Sequence, residues 1–178
     1  MNVHCEGSRL YNAGMGLLSI RRVEPADLDS IHWIAASTGV ASGSDIAAAL
    51  ERMDAAVVLG EDSAHQVYML EDGGVPVGFM CFGSVARTQG TWQLFAIGVD
   101  STGHGKGFGR HLLAYAESEV RRRGGRLLLV ETSSSEADAG AVAFYERTGF
   151  GLMARIVGFF RQGEDKLFLG KAIEPARE

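Results

Sequence analysis

The stretch AIGVDSTGHGKGFGRHLL, Ala96–Leu113, carries five glycines in the twelve residues from Gly98 to Gly109 and then turns apolar again. A plain strand-to-helix link needs no such density. The branched run before the bend reads as a strand. After it, Phe108, Leu112, Ala116 and Val120 form one face of a helix, which Leu113 widens. Strand, bend and helix start gather unpaired backbone N–H groups around one concavity, and the helix N-terminus adds partial positive charge. Glycine lets the backbone approach an anion with no Cβ in the way. The bend is therefore expected to hold an anionic group, above all a phosphate.

Two common phosphate loops fit poorly. A P-loop requires Gly-Lys followed by Ser or Thr, whereas Gly105-Lys106 is followed by Gly107 and offers no hydroxyl for magnesium. A dinucleotide fingerprint belongs early in a parallel βαβ unit, whereas Gly105, Gly107 and Gly109 follow a series of strands joined by short links.

Outward from the bend, the chain reads as mixed α/β. LLSIRRV (Leu17–Val23) is a first strand. A helix follows with Pro25 as its first residue, and a second begins at Ser44 as N-cap and runs to about Met53. HQVYMLE, VPVGFMCFG and TWQLFAIGV are three consecutive strands, the first two joined by the turn EDGG, which favours an antiparallel meander. The long helix after the bend carries the acid-first pairs Glu117–Arg121 and Glu119–Arg123 and stops at Gly124-Gly125. RLLLVETS reads as a central strand covered on both faces. A short helix and two further strands joined by RQGED complete the chain. The expected fold is a mixed, largely antiparallel central sheet flanked by helices, with one parallel crossover through the long helix. Residues 17–174 are expected to form one domain, after a loosely ordered tail over residues 1–16.

Composition narrows the function classes. With 178 residues, 46% hydrophobic and 22% charged, the chain suits one globular domain. A formal net charge of −5 argues against nucleic acid as a partner. The basic run RRRGGR, Arg121–Arg126, ends a helix, where cations sit well against its dipole. No apolar run approaches a membrane span. Cys5 and Cys81 make no C-x-x-C, and His104 and His111 make a poor metal site, so no metal and a reduced, cytoplasmic setting are expected. Cys81, in an apolar strand, reads as an inert buried thiol.

VDSTGHGKGFGRHLL resembles the signature of the GNAT acetyltransferase superfamily: Gln or Arg, two residues, Gly, one residue, then Gly or Ala, between a strand and a long helix. Here His104 stands where Gln or Arg is usual. DAGAVAFYERTGF is similar to a second family feature, with Ala141, Phe144, Tyr145, Gly149 and Phe150 in register and Asp138 in the usual Asn place. The order of strands and helices from Leu17 to Ile173 also resembles the family's acyl-CoA N-acyltransferase fold.

The resemblance implies transfer of an acetyl group from acetyl-CoA to an amine by direct attack, with no covalent acyl-enzyme. It implies Gly105, Gly107, Phe108 and Gly109 around the pyrophosphate, with His104, Lys106 and Arg110 along the diphosphate. It places Ile97 and Val99 as backbone partners of the pantetheine arm, and Asp138 in the cofactor site. Tyr145 becomes the proton donor to the departing thiolate. For the general base, many relatives use a carboxylate on the strand before the bend, but this strand offers Gln93; Glu131, on the neighbouring strand, is the nearest substitute. An amide cannot usefully accept the proton. The acceptor would be a small-molecule or peptide amine, bordered by the RQGED turn and the two N-terminal helices. Trp33 and Trp92 either line its pocket or pack. A homodimer is compatible with the resemblance. The rival readings are a CoA-binding sensor without turnover and a nucleotide-binding enzyme built on the same bend.

Overall fold

A computed structural model describes residues 9–12, 17–38, 44–60 and 63–174, excepting the side chains of 9–12 and 44–49. Among the described residues eight strands hydrogen-bond in the order β1-β2-β3-β4-β5-β6-β8-β7. In chain order they are β1 (Arg9–Asn12), β2 (Leu17–Arg22), β3 (His65–Asp72), β4 (Val75–Ser84), β5 (Thr91–Val99), β6 (Leu127–Ser133), β7 (Gly151–Arg161) and β8 (Glu164–Ala172). The helices are α1 (Leu28–Ser37), α2 (Ser44–Leu59), α3 (Phe108–Arg122) and α4 (Ala139–Arg147). β5 and β6 pair in parallel through the α3 crossover, while β1–β2, β2–β3, β6–β8 and β7–β8 are antiparallel. The mixed, largely antiparallel sheet read from the sequence is present.

The chain groups into two compact units, Met1–Cys81 with Ala96–Leu112 and Phe82–Phe95 with Leu113–Glu178. Their boundaries fall inside β4, β5 and α3, so no linker marks them. In the first unit, Ile31, Ile34 and Ala35 of α1 and Met53, Ala56 and Val57 of α2 are buried, as are Ile20, Met69 and Leu70 on the strands. The turn Gly73-Gly74 has both φ angles positive, +61° and +85°, the conformation a two-residue hairpin requires. In the second unit the core holds Leu128 and Val130 of β6, Leu169 of β8, Ala116 and Val120 of α3, and Phe150. Gly125 donates to the Val120 carbonyl at 2.8 Å and Gly124 to that of Arg121 at 3.0 Å, closing α3 with a left-handed glycine at φ +72°.

Several elements differ from the sequence reading. Arg9–Asn12, within the expected tail, form β1, where Arg9 pairs with Ile20 and Asn12 with Leu17. α2 runs on to Leu59 because Met53, Ala56 and Val57 keep one face buried at helical spacing. Pro25–Asp27 form a 3-10 turn, and the α-helix starts at Leu28. Of the acid-first pairs, Glu119 reaches Arg122 at 2.7 Å and Arg123 at 3.5 Å, but Glu117 pairs with Lys171 of β8 at 2.7 Å. Arg121 instead donates to the Glu174 carbonyl at 2.9 Å. Ser44, read as an N-cap, is the first residue of α2, and its side chain lies outside the described residues.

Candidate active site

The glycines of the bend have two separate physical reasons. Two of them make room for packing. A Cβ on Gly98 would stand 2.6 Å from the Phe79 ring, and one on Gly103 would stand 2.7 Å from the ring of Phe108. Phe108 is buried, so its ring pins the bend to the start of α3. Two more, of the remaining three, are conformational. Gly105 and Gly107 have φ of +77° and +84°, and a Cβ on either would meet nothing within 4 Å. Their surroundings are open.

That openness coincides with unused hydrogen-bond donors. Within the bend Gly103 donates to the Asp100 carbonyl, His104 to Ser101, Lys106 to Gly103, and Arg110 and His111 to Gly107. The N–H groups of Gly105, Gly107, Phe108 and Gly109 reach no acceptor among the described residues. Four such donors beside two left-handed glycines and the N-terminus of a fifteen-residue helix form an anion cradle. Lys106 and Arg110 are exposed beside it. The Lys106 ammonium stands 6.0 Å from the centroid of the Phe108 ring, and Arg110 has no partner among the described residues. The residues present fit a diphosphate.

His104 is exposed beside the same bend. Its Nε2 stands 3.1 Å from the Val99 carbonyl, so the ring closes back on the end of β5. Asp100 anchors the same corner. Its carboxylate accepts from the Thr102 hydroxyl at 2.5 Å, the main reason it is held below the ordinary carboxylate range, and its N–H donates to the Val77 carbonyl. The parallel ladder of β5 with β6 ends at Leu94 and Val130, so Ile97 and Val99 lie beyond the last residue paired on that side.

The second unit holds the other candidates. Tyr145 is only 8% exposed, with its ring 5.3 Å from that of Phe144 and 5.4 Å from that of Phe150, centroid to centroid. Burial pushes its phenol up from the ordinary value, so it is protonated throughout the neutral range. Glu131 is engaged at both oxygens: Gln93 Nε2 donates to Oε1 at 3.1 Å, and Lys166 Nζ sits 2.5 Å from Oε2. Lys166, which the sequence reading missed, also lies 4.8 Å from the ring centroid of Phe159 and 5.3 Å from that of Phe168. Its signal lay in register alone, since Ser133 pairs with Lys166 and Glu131 with Phe168. Asp138 closes a local turn, accepting from the Ser135 hydroxyl at 3.1 Å, and it precedes α4.

The remaining candidates separate cleanly. Cys81 is fully buried, and that burial pushes its thiol up to about 12, which makes it inert. Trp92 packs, with Arg123 5.9 Å from its ring centroid and Gly125 leaving space for its edge. Trp33 is exposed and lines a shallow groove with Asp29, Ser30, Ile34 and Pro76. A polar cavity of about 550 Å³ is lined by Ser134, Ser135, Glu136, Arg161 and Glu164. Glu164 accepts from Ser133 at 2.8 Å and Arg161 at 2.5 Å, which together hold it below the ordinary range. Among the described residues no cluster has metal-binding composition, and no helix is long and apolar enough to cross a membrane.

Comparison with known proteins agrees with this geometry. Residues 28–150, more than half of the chain, match the acetyltransferase (GNAT) family. A GNAT-family protein from Desulfovibrio desulfuricans superposes with a TM-score of 0.83 at 32% identity, covering 88% of this chain and 99% of its own. The ribosomal-protein-S18-alanine N-acetyltransferase from Escherichia coli follows at 25% identity and a TM-score of 0.70, with 90% and 97% covered. An acetyltransferase-family protein from Salmonella typhimurium, solved with acetyl-CoA, shares the fold at 23% identity and a TM-score of 0.67, with 90% and 96% covered. No curated protein sequence matches the chain. The chain belongs to the GNAT acetyltransferase family and is an acyltransferase.

Proposed function

We propose that this protein moves an acetyl group from acetyl-CoA to a primary amine by direct attack, with Tyr145 supplying the proton to the departing thiolate. The observation that carries the reading is the set of four N–H groups at Gly105, Gly107, Phe108 and Gly109 that reach no acceptor among the described residues. Backbone amides and Lys106 and Arg110 hold the diphosphate, and the edge of β5 at Ile97 and Val99 takes the pantetheine arm. When bound, acetyl-CoA supplies the activated acyl group. Asp138, which precedes α4, is included in the proposal as a cofactor-binding residue.

Tyr145 suits the donor's role because a donor must carry its proton beforehand. A thiolate whose conjugate acid is near the cysteine value, about 8.5, is a weaker base than phenolate at about 10. Transfer from the phenol to that thiolate is uphill, and burial steepens it, so the hydroxyl must stand in hydrogen-bond contact with the sulfur as the C–S bond breaks. The neutral amine forms when its proton passes to Glu131 and on to water. Gln93 and Lys166 fix that carboxylate while leaving lone pairs on both oxygens. The cavity at Ser134, Glu136 and Glu164 is the proposed acceptor mouth; Glu164 is paired with Arg161 there, so Glu136 is the carboxylate proposed to meet a cationic small molecule or basic peptide. A cytoplasmic setting fits such substrates.

Calorimetric titration with acetyl-CoA, desulfo-CoA, ATP and NAD tests the cradle first. Saturable binding confined to the CoA compounds, followed by free-thiol release with members of an amine panel, supports the proposal. Stronger binding of ATP or NAD would overturn it. CoA binding with no turnover on any amine would instead favour a sensor, a reading to which the ion-paired state of Glu131 lends weight.

A further inference from the structure

Lysine ordinarily keeps its charged end in water, but the Lys166 side chain is only 20% exposed. Its ammonium meets one carboxylate and two aromatic rings. Glu131 lies at 2.5 Å, and the ring centroids of Phe159 and Phe168 lie at 4.8 Å and 5.3 Å. A carboxylate flanked by two rings is the chemistry that recognises an organic ammonium.

The backbone is arranged to complete this box. Glu131 pairs with Phe168 and Ser133 with Lys166, so the four residues share one face of the sheet. Phe159 arrives by a different route. Ile156 pairs with Lys166 and Arg161 with Glu164, which leaves residues 157–160 of β7 against Asp165 alone. Had the register of Ile156 continued, Phe159 would stand opposite Gly163 in the turn; the bulge carries its ring back to Lys166 instead. Gly158, at φ +64° and with its N–H held by Asp165 at 2.7 Å, fixes that bulge. Phe159 remains 51% exposed, so the box is open on one side. It also adjoins the mouth described above, because Ser133 donates to Glu164 at 2.8 Å.

We propose that Glu131, Phe159 and Phe168 form the ammonium subsite for the acceptor, and that Lys166 is an internal occupant which the acceptor displaces. The inference rests on the acetyl-transfer reading and narrows its substrate class. The occupant is the template: a primary ammonium at the end of an unbranched alkyl chain. Gln93 keeps hold of Oε1 while Oε2 changes partner, so the carboxylate stays in place during the exchange. A ligand without such a cation cannot match the ammonium it must replace, so displacement selects by charge.

The test titrates n-butylammonium into the full chain without acetyl-CoA. By NMR, the Lys166 Hε signals, shifted by the ring currents of Phe159 and Phe168, should move to the position of a solvated lysine. By calorimetry, Lys166→Met should bind n-butylammonium about tenfold more tightly than the native chain, because no internal competitor remains. Glu131→Gln should abolish that binding, and n-butanol should not bind. The NMR signal comes from the native chain, so it decides the matter even if Lys166→Met fails to fold. Lys166 signals that stay fixed while n-butylammonium binds would overturn the proposal. So would the absence of binding, or equal or weaker binding by a folded Lys166→Met. Displacement of Lys166 with no turnover on any amine would support the cation box and overturn only the acetyl-transfer reading. Turnover of n-butylamine with Lys166 fixed in place would do the reverse.

Discussion

Gln93 donates its amide N–H to Glu131 at 3.1 Å, from β5 to the parallel strand β6, and Lys166 holds the other oxygen of the same carboxylate at 2.5 Å. The glutamine therefore orients the neighbouring carboxylate rather than acting as a base itself. If Glu131 takes the amine's proton, Glu131→Gln should lower kcat/KM about 100-fold at pH 7. The loss should shrink as pH rises towards the amine's own pKa, about 10 for a lysine-like acceptor, because the amine then needs less help. Rates from pH 6.5 to 9 on the best acceptor decide the point. A loss that stays constant across that range assigns Glu131 a structural role with Lys166.

Tyr145→Phe keeps the ring between Phe144 and Phe150 and deletes only the hydroxyl. Melting temperature and the affinity for CoA should hold, while kcat falls by about 100-fold or more. A fall in stability with kcat preserved would mark Tyr145 as a packing residue. Pre-steady-state measurement of thiol release separates the chemical step from product release.

The bend's two kinds of glycine should fail differently. Gly107→Ala forces an L-residue to φ +84°, at a cost of about 1–2 kcal/mol, and crowds the anion without striking any described atom. CoA affinity should drop about tenfold or more. Gly98→Ala drives a methyl into the Phe79 ring, so its main effect should be a lower melting temperature. Titration calorimetry and thermal melting on the two variants resolve the pair.

The density of glycine from Gly98 to Gly109 singled out the bend as the candidate anion site, and period-two and helical patterns placed most elements. The sequence could not divide those glycines by purpose, because Gly98 owes its place to Phe79, a residue of the neighbouring strand. Nor could it foresee that Glu117 would turn from Arg121 to Lys171, since an i,i+4 pair is visible in sequence and a contact across 54 residues is not. Lys166 and Asp165 were hidden for the same reason. Neither stands out until the β6–β8 register sets Lys166 against Ser133 and brings Asp165 to Ser134.

Asp165 is 2% exposed and ties three segments together. Its N–H donates to the Ser134 hydroxyl, and its carboxylate accepts the Gly158 N–H at 2.7 Å and pairs with Arg155. These contacts, the Gly158 N–H foremost, hold its pKa below the ordinary 3.8. A carboxylate depressed in the folded state contributes stability that is fully present above the unfolded pKa and is lost as pH falls through the folded one. Asp165→Asn should therefore melt below the native chain at pH 7, and the difference should begin to narrow as pH drops below about 4, where the unfolded carboxyl takes up its proton, and close as pH falls through the lower folded value. Because Gly158 sits at φ +64° where β7 departs from its regular register with β8, the variant should also loosen that bulge. Melting curves from pH 3 to pH 8, with hydrogen exchange at residues 157–160, provide the check. A difference that stays constant through acid pH would mean that the carboxylate's charge contributes nothing there.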